Sequence, residues 1–261
     1  MSPQELLRAY DLELRRSAPY FDDAVRLETD GSVVRLLGAT ADPGNNCVLY
    51  SDLDETTADA AVDRQVAYFA GLGRGFEWKL HEHDRPAGLR KLLLSKGFEP
   101  AGDEVIVALD LAKPRLPIHL PDGWRAGPWP ESESLEALMV IQKEVWRGEE
   151  LDWLAESLAR ERASRPDAIR FHAVWADARP ISVGWTRLHG RFASLFGGST
   201  LADFRGKGAY RALLASRLDE AARLGAKTAL VDAGPMSRPI LERQGFLRLT
   251  GTTPMLKRYK K

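Results

Sequence analysis

The segment from Phe192 to Leu214, reading FASLFGGSTLADFRGKGAYRALL, constrains the fold more than any other part of the 261-residue chain. Phe192–Phe196 is an apolar run of strand length. From about Lys207 to Leu224 the residues Tyr210, Leu213, Leu214, Leu218, Ala221 and Leu224 recur at helical spacing, and Gly225 stops the pattern. A second strand-like run follows at Thr228–Val231. A strand, one helix and another strand form a crossover, which requires the two strands to be parallel. Between the first strand and the helix, Arg205 to Ala209 sit where the first helical N–H groups lack carbonyl partners and the helix dipole is positive, so the turn favours an anion. Gly206 and Gly208 let a phosphate approach the backbone and permit positive φ, while Arg205, Lys207 and Arg211 add charge.

Two common phosphate loops do not fit. A Walker A loop needs Ser or Thr after Gly-Lys, but Gly208 and Ala209 follow Lys207, and a dinucleotide fingerprint needs a small residue where Arg211 stands. On these residues alone, a plain helix-capping turn stays open beside a phosphate site. With its flanking elements in order, the segment resembles the acetyl-CoA signature of the GNAT superfamily: Arg or Gln, two residues, Gly, one residue, then Gly or Ala. Here it reads Arg205, Gly206, Lys207, Gly208, Ala209, Tyr210. Tyr210 departs from the small final residue, and Ala202 replaces a frequent proline. Pro239 to Phe246 is similar to the closing helix and Gly-Phe of that family, and the resemblance spans about Trp124 to Tyr259.

The resemblance implies an acyltransferase that moves an acetyl group from acetyl-CoA, its cosubstrate, to a primary amine. It assigns pantetheine to the backbone of Gly198, Ser199 and Thr200, and the pyrophosphate to Gly206–Arg211 with Arg205 beside it. Adjacent Gly197 and Gly198 suit a β-bulge, and a free N–H there would face the thioester oxyanion. The family's acid tyrosine falls at Leu241 and its loop asparagine at Gly234, leaving Ser237, Tyr210 or water as the acid; Ser237 before Arg238-Pro239 also reads as a plain N-cap. For the base, Glu144, Glu149, Glu150 and Asp152 border the acceptor side; Glu144 is preferred because Trp146 and Trp153 offer apolar surroundings. The acceptor is expected to be a small-molecule amine, a protein N-terminus or a lysine. A non-catalytic acyl-CoA sensor or structural protein on the same fold is the alternative.

The first half repeats this grammar. A capped helix opens it at Ser2-Pro3, a hairpin follows around Thr29-Asp30-Gly31, and helices are expected over Asp54–Leu72 and Arg85–Lys96. Leu92 to Phe98 parallels Ile240 to Phe246, with the two phenylalanines 148 positions apart, a spacing that suits a duplicated domain. The expected fold is therefore α/β (α+β), with two GNAT-like domains over 1–112 and 118–261, each a mixed, mostly antiparallel sheet flanked by helices. In the first, Ser51 to Glu55 is acidic and glycine-free, so that copy is read as degenerate and without a phosphate loop. Lys plus Arg equals Asp plus Glu at 37 each, which argues against a nucleic-acid or membrane partner. One cysteine and no zinc spacing predict no metal, and His81-Glu82-His83-Asp84 reads as a polar loop. A cytoplasmic monomer or homodimer is expected.

Overall fold

The computed structural model describes residues 1–19, 24–113, 118–147 and 151–259. In chain order the elements are α1 (Pro3–Tyr10), a π-helical turn (Asp11–Arg16), β1 (Arg26–Asp30), β2 (Val33–Leu37), β3 (Asn46–Ser51), α2 (Ala58–Gly71), β4 (Phe76–His81), α3 (Leu89–Ser95), β5 (Glu99–Pro100) and β6 (Glu104–Asp110). They continue with β7 (Trp124–Pro128), α4 (Glu136–Val145), α5 (Asp152–Ser164), β8 (Ile169–Ala176), β9 (Arg179–His189), β10 (Phe192–Thr200), α6 (Ala209–Arg223), β11 (Thr228–Ala233), α7 (Arg238–Arg243) and β12 (Leu247–Lys257). The chain divides into two units: Met1–Ile106 with Arg248–Lys261, and Val107–Leu247.

The division differs from the expected ranges 1–112 and 118–261 in that the last strand groups with the first half. β12 pairs antiparallel with β4 from Thr252↔His81 to Lys257↔Phe76, and Met255 is wholly buried among Trp78, Phe76 and Leu93. The strand order of this first unit is β1-β2-β3-β4-β12, with β5 also on β12. β3 and β4 are parallel, joined through α2, so the unit contains the same strand–helix–strand crossover that was read in the second half. Phe69 stacks on Phe76 with centroids 4.1 Å apart. α2 starts at Ala58 rather than Asp54 because the Asp54 carboxylate accepts from the N–H groups of Thr56 and Thr57, both at 2.9 Å. The hydroxyls of Thr56 and Thr57, which donate to the same oxygen at 2.7 and 2.9 Å, together with these N–H groups hold the Asp54 pKa down to about 2, an exposed carboxylate standing where the other crossover has glycines.

His81, His83 and Asp84 anchor the opening helix. Ser2 and Glu5 form a capping box on α1, and Tyr10 at its end shares a 3.0 Å hydrogen bond with His81 Nε2. Buried Arg15 forks onto Asp84 at 2.7 and 2.9 Å and donates to Leu49 O, while His83 lies between Asp11 and Thr250.

In the second unit the strand order is β11-β10-β9-β8-β7. Ala173 and Trp175 pack with Leu138, Ile141 and Leu158 of α4 and α5, whereas Val174 between them packs with Ala212 and Leu213 of α6. That alternation covers the sheet on both faces and fixes α6 beside β10. α4 begins at Glu136, and β7, which contains Gly127 and Pro128, was not among the expected strands.

Candidate acyl-CoA site

The expected bulge is present. β10 and β9 pair regularly up to Phe196↔Trp185, then shift register and resume at Ser199↔Val183. Gly197 takes φ 60°, and a Cβ there would fall 1.8 Å from the Trp185 ring, so only glycine fits. On its other edge β10 pairs with β11, in parallel, only from Phe192↔Thr228 to Ser194↔Leu230. Beyond Ser194 no pairing joins the two strands among the described residues, and Gly197–Thr200 run on without β11 beside them.

Side chains of this unit take up the backbone carbonyls of the bulge. Gln142 of α4, buried at 2 % exposure, donates to Gly197 O and accepts from Ser199 Oγ at 3.0 Å. Trp146, one turn on, donates its indole N–H to the same Ser199 Oγ at 2.9 Å. Ser182 Oγ bonds Ser199 O, and Arg205 Nε bonds Thr200 O at 3.1 Å. From α6, Arg217 donates to Trp185 O and to Phe196 O, the last regular pair before the bulge, with Nε on Thr186 Oγ1. Arg217 is 3 % exposed, and burial lowers it to about 10. Gln142 and Arg217 were not expected. Their signal was a polar residue inside an apolar helical stripe, Gln142 four residues after Leu138 and Arg217 three after Leu214.

The turn after β10 has the backbone the glycines allow: Gly206 at φ 74° and Gly208 at φ 96°. Gly208 is the N-cap of α6, and no side chain caps that end, so the N–H groups of Ala209, Tyr210 and Arg211 are left without a side-chain acceptor. Arg205, Lys207 and Arg211 are exposed around it. The Tyr210 ring lies against the bulge, where a Gly198 Cβ would be 2.9 Å from its Cε2. Burial raises its phenol and nearby Arg217 opposes the rise.

Glu144 is exposed, and two positions from Gln142 it lies away from the α4 face that meets β10; Trp146 binds Ser199 rather than enclosing it. Asp152 is exposed and paired with Lys143 at 2.6 Å, and Glu149 and Glu150 lie outside the described residues. Ser237 is the N-cap residue of α7, but its hydroxyl donates to Gly234 O at 3.4 Å instead of capping. Leu241 is wholly buried in α7.

No family model and no curated protein matches the chain by sequence. Solved structures do match it. A GCN5-related N-acetyltransferase from Kribbella flavida is 18% identical, with 98% of this chain and 95% of that one covered and a TM-score of 0.73. One from Sphaerobacter thermophilus is 12% identical over 98% and 85%, TM-score 0.62. A tandem GNAT protein from the clavulanic acid biosynthesis pathway is 14% identical over 90% and 84%, TM-score 0.60. With the bulged strand, the uncapped helix and the crossover in each unit, the chain has the fold of the GCN5-related N-acetyltransferases in a tandem arrangement.

Proposed function

We propose that the second unit binds acetyl-CoA and transfers its acetyl group to a primary amine. The observation that carries this is the divergence of β10 from β11 at Ser194, beside a glycine turn that leaves the α6 N-terminus uncapped. A diphosphate suits that end: free N–H donors, the helix dipole and the cations Arg205, Lys207 and Arg211 all favour it. The open edge of β10 offers Gly198, Ser199 and Thr200 to pantetheine by strand-like hydrogen bonds. A backbone N–H at the bulge would receive the negative charge that develops on the thioester oxygen.

A neutral amine attacks the carbonyl carbon, the C–S bond breaks, and thiol and amide result; holding donor and acceptor in register supplies much of the rate. Ser237 is kept as an acid only through the water that its hydroxyl, already on Gly234 O, would hold. The first unit is proposed to be a degenerate copy, because Asp54 places a carboxylate at the helix end where a phosphate would lie. The alternative, a non-catalytic acyl-CoA binder, is favoured by one observation: the carbonyls of Phe196, Gly197 and Thr200 already bond to side chains. Free thiol released from acetyl-CoA in the presence of spermidine, glucosamine and lysine methyl ester separates the readings. Amine-dependent release is expected; binding without release would favour the alternative.

A further inference from the structure

A guanidinium buried without a carboxylate is costly, and proteins keep one where it does work that a neutral group cannot. Arg217 is such a group: three of its bonds go to Trp185 O, Phe196 O and Thr186 Oγ1, and none to an acid. Its Nη1 makes no hydrogen bond to the described residues, and neither does the Tyr210 hydroxyl. Both groups converge on one point. A Cβ built on Gly198 would lie 3.7 Å from Tyr210 Cζ and 3.6 Å from Arg217 Nη1. Seven residues apart on α6, the two side chains share a helix face, and that face meets the bulge.

We propose that Tyr210 is the acid of the acyl transfer and that Arg217 is its positioning residue, a pair built from α6 against Gly198. The inference rests on the acetyl-CoA reading of the same cleft. As the amine nitrogen bonds the carbonyl carbon, the C–S electron pair leaves on sulfur, and the Tyr210 hydroxyl proton passes to it. The tyrosinate so formed stands beside the Arg217 cation, and the proton shed by the amine nitrogen returns through water to restore the phenol. Arg217 serves twice, because its bonds to the last regular strand pair also hold the bulge in which the thioester would sit.

The test uses the full chain and acetyl-CoA, with thiol release followed in water alone and with the three amines named above. Tyr210→Phe should bind acetyl-CoA within about threefold of wild type while its kcat falls about 100-fold, the range of a positioned proton donor. Arg217→Lys, which keeps the charge, should retain more kcat than Arg217→Gln, and the alkaline limb of the pH–rate profile should move in Arg217→Gln and vanish in Tyr210→Phe. Unchanged kcat in Tyr210→Phe overturns the proposal and leaves the function standing. Binding by wild type without thiol release in any arm overturns the acid role together with acetyl transfer and leaves acyl-CoA binding standing, and no binding by wild type overturns all three. Should Arg217→Gln lose its cooperative melt, Tyr210→Phe and Arg217→Lys still decide.

Discussion

At the scale of single residues, the site depends on glycines whose demands differ. Gly197 needs both its φ of 60° and the absence of a side chain, because Trp185 occupies the Cβ position; Gly206 needs only its φ of 74°, with nothing within 4 Å. Gly197→Ala should therefore cost about 3 kcal/mol, strain and overpacking together, and Gly206→Ala about 1 kcal/mol. Urea unfolding of the two variants measures both, and equal losses would show that the Trp185 contact is unimportant. Gly197, Gly198, Gly206 and Gly208 were legible because glycine pairs at a strand end and a helix start have few other uses. Arg217 and Gln142 were not, because an apolar stripe is read for its regularity and its polar interruptions are passed over. Glu144 is exposed near the end of α4, whose C-cap is Trp146, and Trp153 lies on α5, so nearness in sequence to the two indoles does not enclose it.

At the scale of elements, α6 is fixed to the sheet by a hydrogen-bonded set that responds to acid. His172 of β8 is almost wholly buried, with Nδ1 2.9 Å from Ser216 Oγ and Nε2 2.6 Å from Glu220. Burial lowers its pKa from 6.5, with Glu220 partly opposing. The unfolded chain thus takes up the proton first: the contribution of His172 is complete above about 6.5 and is lost as pH falls below it. His81 in the first unit behaves alike, held well below 6.5 by burial. Glu220 is lowered by its bond to His172, so its contribution is present above 4.5 and fails only at lower pH. Melting temperature should fall between pH 7.5 and pH 5, and His172→Gln should narrow that fall. An unchanged difference in the variant would assign the acid sensitivity elsewhere. Element starts were less legible than element types. α2 is delayed by the Asp54 turn, and β7 carries Gly127 and Pro128, which signal a loop unless a neighbouring strand is known.

At the scale of the whole molecule, each unit carries a parallel strand–helix–strand crossover, and the two differ in what stands at the helix start: Asp54 in one, Gly206 and Gly208 in the other. The tandem plan was legible from the paired helix–Gly–Phe segments. The assignment of β12 to the first unit was not, because residues 247–254 mix two leucines with polar residues, Gly251 and Pro254, and a strand pairing so distant in sequence leaves no local trace. Ending the chain at Leu247 should remove the partner of β4 and the buried Met255, so amides of β2 to β4 should lose hydrogen-exchange protection while those of β8 and β9 keep theirs. Retained protection in β4 would contradict that assignment. The central claim, an acetyl-CoA site at the β10 bulge and the α6 N-terminus, is tested most directly by calorimetric titration of the full chain with acetyl-CoA. One site is predicted, with Kd between about 1 μM and 1 mM, as cosubstrates of enzymes commonly show. Lys207→Ala and Arg211→Ala should each weaken it about fivefold, the worth of roughly 1 kcal/mol at a helix N-terminus. A titration without heat, and no rise in melting temperature at about 1 mM acetyl-CoA, the top of that range, would contradict the account.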